Sequence, residues 1–374
     1  MEKNVFVVAD NVLSPIGKTT AENFDQLKKN VSGVKEQNNP AISPRSFFAS
    51  LFNKDVINIE AGRTKFEQLL IDSISDALKN SDIDPKDKKT ILIISSTKGN
   101  ISLLETEEDT PELEKRIALS TSARLVAEHF GFINTPIIIS NACISGVVGI
   151  ITGMRLVRTG QYENAIVTGA DVISSFILSG FESFQALSPQ ICRPFDRSRD
   201  GLNLGEGAAT IILSTNKKYA KNIKVLAGSV SNDANHISGP SRTGKELSLA
   251  IDQSLKEAGL SANEIDFISA HGTATPYNDE MEAKAINLSG LQSAPLNSLK
   301  GYYGHTLGAA GLIESIISLQ SLKEGVLLPT PGYKESGVTQ SVNVVANIQP
   351  ITAKNFLKMA SGFGGCNAAI IFGK

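Results

Sequence analysis

Three residues in this chain have types and surroundings suited to chemistry. Cys143 lies in "SNACISGVVGI" (140–150), between small residues and a glycine-dotted apolar run. It follows "PIIIS", which reads as a strand, and precedes a helical pattern, so its sulfur belongs at a strand-to-helix turn. There the positive end of the helix dipole favours a thiolate and is expected to lower the thiol pKa. Only four histidines occur, and two of them fall in glycine-rich, non-periodic stretches: His271 in "AHGTATPYND" (270–279) and His305 in "SLKGYYGHTLGAAG" (298–311). A thiolate beside imidazoles suits nucleophilic acyl transfer. The competing readings are a buried inert cysteine, two hydrogen-bonded structural histidines, and a zinc site, for which neither ligand spacing nor backing carboxylates speak.

The elements that must position these residues alternate along the chain. "ILIISSTKG" (91–99), "PIIISNA" (136–142), "NAIVTGAD" (164–171) and "AATIILS" (208–214) read as buried strands, and 66–81 and 145–160 as helices, the latter ending at Arg158 with Gly160 as its C-terminal cap. The pattern returns with strands at 223–231, 265–271 and 342–346, a helix over 248–259, and a closing pair at 356–365 and 367–373. This is an α/β layered fold. The polar stretch "STNKKYAKN" (214–222) is the best seam, giving halves 1–216 and 217–374.

Composition narrows the partners. The 374 residues are 41% hydrophobic and 20% charged, with a net charge of −2. That is ordinary for a globular protein and gives no bulk electrostatic case for nucleic acid or an anionic membrane. No run approaches the ~20 apolar residues that span a bilayer, and the opening segment does not read as a signal peptide. Cys143, Cys192 and Cys366 are far apart and odd in number, which argues against a disulfide framework and for a reducing, cytoplasmic setting.

The ordered motifs "VVADNVLSPIG", "NACISG", "CRPFDRSRDGLNLGEGAA" (192–209), "DANHISGP" (233–240), "HGTATPYND", "LKGYYGHTLGAAGLIES" (299–315) and "SGFGGCNAA" (361–369) resemble the β-ketoacyl-acyl carrier protein synthase family over essentially the whole chain. The resemblance implies a thiolase-like fold, two halves each with a five-stranded sheet in α-β-α-β-α layers, and decarboxylative condensation of an acyl group with malonyl-acyl carrier protein. It implies no cofactor and no metal, because the substrates ride on the carrier's phosphopantetheine. The partners it implies are the carrier and a second subunit, as homodimer or heterodimer. Alternatives are a chain-length-factor-like subunit and a coenzyme A-dependent thiolase-type enzyme.

Carried over motif by motif, Cys143 is the nucleophile, His271 and His305 the histidine pair, and Lys300 and Glu314 a buried pair behind them. The backbone N–H groups of Cys143 and Phe363 form the oxyanion hole. Phe363, His236, Ile144, Thr273 and Thr275 line the substrate pocket. Asp279 and Glu282 support the His271 loop, Asp279 as a helix cap. Cys192 and Cys366 are expected to be buried and unreactive. Arg193, Arg197 and Arg199 are expected to pair with Asp196 and Asp200, and "KKYAKNIK" (217–224) is a candidate docking patch for an acidic carrier.

Overall fold

A computed structural model describes residues 3–53 and 56–374. Eleven strands form its main sheet: β1 (Val5–Leu13), β2 (Thr90–Ser95), β3 (Ile137–Ile139), β4 (Asn164–Asp171), β5 (Gly207–Ser214), β6 (Lys224–Asn232), β7 (Phe267–Ser269), β8 (Pro295–Asn297), β9 (Asn343–Val344), β10 (Asn355–Gly362) and β11 (Cys366–Gly373). Their order is β9-β8-β7-β10-β11-β6-β1-β5-β4-β2-β3. In the first half β2 runs parallel to β3 and β4, while β5 runs antiparallel to β4 and β1. The second half repeats the scheme: β7 is parallel to β8 and β10, and β11 is antiparallel to β10 and β6. The element pattern that returns along the sequence thus returns in the strand pairing as well.

Two details differ from the expected pair of five-stranded sheets. The half-sheets are joined through β1 and β6 by the pairs Val5↔Val225 and Phe6↔Lys224, which makes one continuous ladder. The second half also carries β9 as a sixth, two-residue edge strand.

Helices cover the sheet on every side, and each apolar face explains its place. Helix α1 (Lys65–Lys79) opens on a capping box between Thr64 and Glu67 and buries Phe66, Leu69, Leu70 and Ile74 against the outer face of the first half. Between the half-sheets lie α2 (Ser145–Arg158) and α7 (Ala310–Glu324). Helix α7 is buried all round, as a helix packed between two layers must be. The starts of these two helices touch: a Cβ on Gly146 would lie 2.7 Å from the Leu312 nitrogen, and one on Gly311 would lie 2.9 Å from the Val147 nitrogen. Only glycine permits that approach. It brings Cys143, two residues before α2, beside the loop before α7, which carries His305. Helices α4 (Lys245–Ala258) and α5 (Pro276–Leu288) cover the outer face of the second half. Among the described residues no helix is long and apolar enough to cross a membrane.

Candidate active site

The turn between β3 and α2 holds Cys143 by a strained residue. Ala142 adopts φ +44°, which costs about 1–2 kcal/mol for a residue with a Cβ. Ser145 fixes it: its hydroxyl donates to the Ala142 carbonyl (2.7 Å) and accepts from the Asn141 N–H (2.8 Å). The sulfur is thus presented at the start of α2, as the sequence suggests. Its acidity is not what the helix dipole suggests. Burial pushes the Cys143 thiol up to about 12, with Cys366 adding to the effect, and the Lys300 ammonium and the Phe363 N–H only partly oppose it. Cys143 is 8% exposed, and desolvation of a thiolate outweighs a dipole.

His271 and His305 come to the same point. One donor atom from each of Cys143, His271 and His305 lies within 4.8 Å of the others, and the imidazoles meet edge to face with centroids 5.2 Å apart. Both are held well below the usual histidine range, first by burial, then by the Lys300 ammonium; His305 adds to this at His271, and Lys358 contributes at both. Such imidazoles are neutral at physiological pH. For His271 the tautomer follows from its partner. Lys300 Nζ lies 3.3 Å from Nδ1 and donates to the His271 carbonyl at 2.7 Å. An ammonium can only donate, so the ring proton sits on Nε2. His305 is held by its backbone, donating to Asn203 O (2.6 Å) and accepting from Gly205 N (3.1 Å), while its Nδ1 is buried without a partner. The Cys–His–His spacing would suit a metal. Two buried lysines stand behind it, however, and their charge opposes a dication.

Lys300 and Glu314 form a buried ion pair of 2.6 Å. Glu282 accepts from the backbone N–H groups of His271 (2.7 Å) and Gly272 (2.6 Å) and so shapes the loop directly. Burial and the nearby Asp279 push its carboxyl up to about 7. Asp279 does not cap its helix. Thr275 is the N-cap of α5, and Asp279, one turn in, instead accepts from Thr273 N (2.9 Å) and Phe195 N (2.7 Å), tying the His271 loop to the mid-chain motif.

Two cavities meet at the sulfur. One, of about 400 Å³, is largely apolar but sets Thr273, Thr275, His236 and Asn367 into its walls. The other, of about 460 Å³, is walled by Phe176, Ile177, Phe181, Phe184 and Leu307, with Thr97 and Lys98 as its polar edge. Cys143, Phe181, Phe184 and Phe363 border both. The Phe363 ring stacks on Phe181 (5.7 Å) and meets Phe184 edge-on (5.2 Å), and its backbone N–H points at the sulfur.

Ile144 borders neither cavity. It is 1% exposed and packs in the central core with Val147 and Leu312, because the first residue after the nucleophile turns inward as α2 begins. The arginine pairing also differs. Arg193 approaches Asp200 at 3.7 Å, but Arg197 pairs with Glu335, Arg199 reaches Asp279 at 3.9 Å, and Asp196 instead accepts from Ser198, Lys334 and Glu335 backbone N–H groups. Cys192 and Cys366 are buried.

Several site residues carry no sequence signal. Lys358 is fully buried on β10 and contacts Glu314 at 2.6 Å. Asp171 at the end of β4 accepts from Gly308 N (2.7 Å), Ser96 Oγ (2.8 Å) and Thr97 N, so one carboxylate fixes both the His305 loop and an edge of the apolar cavity. Burial raises Asp171 to about 6. Phe181 and Phe184 lie in and just after a short helix, α3 (Ser175–Ser183), where an aromatic pattern reads as ordinary packing.

Comparisons with known proteins agree with this geometry. The beta-ketoacyl synthase N-terminal domain model matches residues 2–219 and the C-terminal domain model residues 223–334. The chain is 30% identical over 346 residues to a putative mitochondrial 3-oxoacyl-[acyl-carrier-protein] synthase of Schizosaccharomyces pombe, covering 83% of this chain and 81% of that protein. It is 28% identical to the 3-oxoacyl-[acyl-carrier-protein] synthase 2 of Vibrio cholerae, covering 99% of both. A chain from the complex of a ketosynthase with its chain length factor, from Xenorhabdus doucetiae, superposes with a TM-score of 0.89 at 25% identity, over 99% of this chain and 98% of that one. Matched by both domain models and by relatives along nearly its full length, the chain belongs to the β-ketoacyl synthase family.

Proposed function

We propose that this protein is a 3-oxoacyl-acyl carrier protein synthase that joins an acyl group held on Cys143 to malonyl-acyl carrier protein in fatty acid, polyketide or polyene synthesis. The observation that carries the reading is the meeting of Cys143, His271 and His305 where two cavities join, one set with polar side chains and the other almost wholly apolar. The first, with its threonines and Asn367, suits a phosphopantetheine arm, which is itself part apolar and part amide, and the second an acyl chain.

In the first half-reaction Cys143 Sγ attacks the acyl thioester, the oxyanion faces the N–H groups of Cys143 and Phe363, and the carrier thiol leaves with the proton that Cys143 gives up. In the second, the malonyl thioester loses carbon dioxide and the electron pair passes to the thioester oxygen. His271, donating from Nε2, and the neutral His305 stabilise that enolate; its carbon then attacks the Cys143 thioester and expels the sulfur as a thiolate, which takes up a proton from solvent to restore the thiol. Donors of this kind are each worth about 2.7–4 kcal/mol of barrier. No cofactor is needed for these steps, and three free cysteines fit a cytoplasmic setting. We place the boundary between the two halves at residues 216 and 217, and the partners as an acyl carrier protein and a second ketosynthase-type subunit, identical or related.

A subunit that only shapes a tunnel has no use for a cysteine flanked by two imidazoles. A thiolase would use a second cysteine as base, and Cys366, although close, is turned to the Phe363 and Asn141 carbonyls. Incubation with an acyl-loaded carrier protein followed by peptide mass mapping is expected to place the acyl group on Cys143. Label on Cys192 or Cys366 alone overturns the assignment.

A further inference from the structure

We infer that Lys358 is a positioning residue for the decarboxylation half-reaction: it locks Glu314 from the side opposite Lys300, and so holds Lys300 on His271. The inference rests on the functional reading above. A strand reading "NFLKMASG" whose residues 356–361 are all buried has no ordinary place for a lysine, and a buried ammonium is costly unless every N–H is used. Here all three are. Nζ contacts Glu314 Oε2 at 2.6 Å and donates to the carbonyls of Ala270 (2.9 Å) and Ser269 (3.4 Å), the last residues before His271. The other oxygen of Glu314 takes Lys300 at 2.6 Å, and Lys300 reaches His271. The relay therefore runs Lys358–Glu314–Lys300–His271 through four elements: β10, α7, the short helix α6 (Lys300–Tyr303) and the His271 loop.

Two consequences separate this role from mere packing. With one carboxylate between two ammonium groups, the trio carries a net positive charge where a lone Lys–Glu pair would carry none. As carbon dioxide leaves, negative charge moves from the malonyl carboxylate to the thioester oxygen at the histidines, so a fixed cation behind them favours the transition state over the ground state. The same charge adds to the burial that keeps His271 unprotonated, Lys300 contributing more than Lys358. The groups facing His271 are Lys300 from α6, His305 from the following loop, Cys143 from the turn before α2, Glu282 and Asp279 from α5, Glu314 from α7 and Lys358 from β10. Of these, only the two lysines are cationic.

The test compares Lys358→Met with Lys358→Met/Glu314→Gln in the full-length protein. Carbon dioxide release from malonyl-loaded carrier protein and single-turnover acylation from hexanoyl-loaded carrier protein are each followed against pH. Lys358→Met makes the remaining pair neutral. Decarboxylation is expected to fall about tenfold with acylation changed less than about threefold, and its acidic limb to move up by about one pH unit, as loss of a nearby cation requires. The double variant restores the net charge, with Lys300 alone, and is expected to return the limb toward its original position. Equal losses in both half-reactions, or a limb that moves in neither variant, would overturn the inference. His271→Ala is run alongside: if it leaves decarboxylation intact, the reading of the histidines fails, and that outcome is distinct from a failure of Lys358.

Discussion

Gly362 should be the most position-sensitive residue of the nucleophile chamber. It ends β10 and lies beside the Cys143 turn, and a Cβ built there falls 3.0 Å from the Cys143 nitrogen, 3.0 Å from Cys366 Sγ and 3.2 Å from the Ala142 Cβ. All three contacts are tighter than ordinary van der Waals separation, so the Gly362→Ala variant must part the two strands of the chamber by a few tenths of an ångström. Overpacking of this kind costs about 1–3 kcal/mol of stability. Misplacement of reacting groups by 1 Å costs ~100-fold, so a few tenths should cost roughly 5- to 10-fold. The loss should fall on acylation, because the displaced groups are the Cys143 amide and that of Phe363, next to Gly362, the two donors proposed for the oxyanion hole. Single-turnover acylation by mass spectrometry measures it, with the melting temperature taken in parallel. Adding Cys366→Ala removes the sulfur contact alone, so the double variant should recover stability but not acylation, since the backbone contact remains. Acylation of Gly362→Ala at the parental rate would refute the reasoning.

Substituting His271 or His305 by Ala should slow carbon dioxide release from malonyl-carrier by about 10²–10³-fold, the effect of losing one such donor, while acyl transfer to Cys143 changes much less; equal losses would assign the histidines to the nucleophile. Because both imidazoles are held well below the ordinary value, decarboxylation should stay level as pH falls through 6.5, and an acidic limb centred there would contradict the buried geometry. Glu67, buried on α1, is pushed up by desolvation but pulled down to about 2 overall by Arg116, the Thr64 N–H, Ser122 and Asn100. Its folded value is depressed, so its stabilisation is complete above the unfolded value near 4.5 and is lost as pH falls toward 2; urea unfolding should show that slope in the parent and a flatter one in Glu67→Gln. If carrier docking is electrostatic, raising salt should depress turnover of carrier-bound substrate more than that of coenzyme A thioesters, and the reverse order would remove the charge argument.

Much of the site is legible in the sequence because glycine marks it. Cys143, His271 and His305 each sit where a periodic element breaks into small residues, and those breaks are the turns that present them. Lys300 and Glu314 follow only from the order of motifs. The remainder is hidden for physical reasons. Lys358 sits where one polar residue in a strand ordinarily means a solvated face, and only the overlying α7 makes it buried. Asp171 closes an apolar strand and reads as a turn residue, whereas the six hydrogen bonds it accepts come from five donors on residues 96–98 and 308, far away in the chain. The strain at Ala142, Ala274 and Leu307, all with positive φ, leaves no trace either, since alanine and leucine do not announce left-handed backbone as glycine does.

The thiol is where local reasoning and the tertiary environment conflict, and the conflict bears on mechanism. A helix start stabilises a thiolate by a small amount near a surface, but the burial that keeps His271 and His305 neutral acts on Cys143 in the opposite chemical sense, keeping it protonated. Both effects come from one dry chamber. A neutral imidazole donor is what an enolate requires, so the chamber serves decarboxylation directly, whereas acylation must move the thiol proton within the step itself. The sulfur of the departing carrier arm is the natural destination, because it gains negative charge as Cys143 loses its proton. Dryness then favours a concerted exchange between two sulfurs over a resting ion. On this account Cys143 is made reactive by the arriving substrate, which brings its own proton acceptor, and the Phe363 N–H and Lys300 ammonium stabilise the charge that passes between the sulfurs.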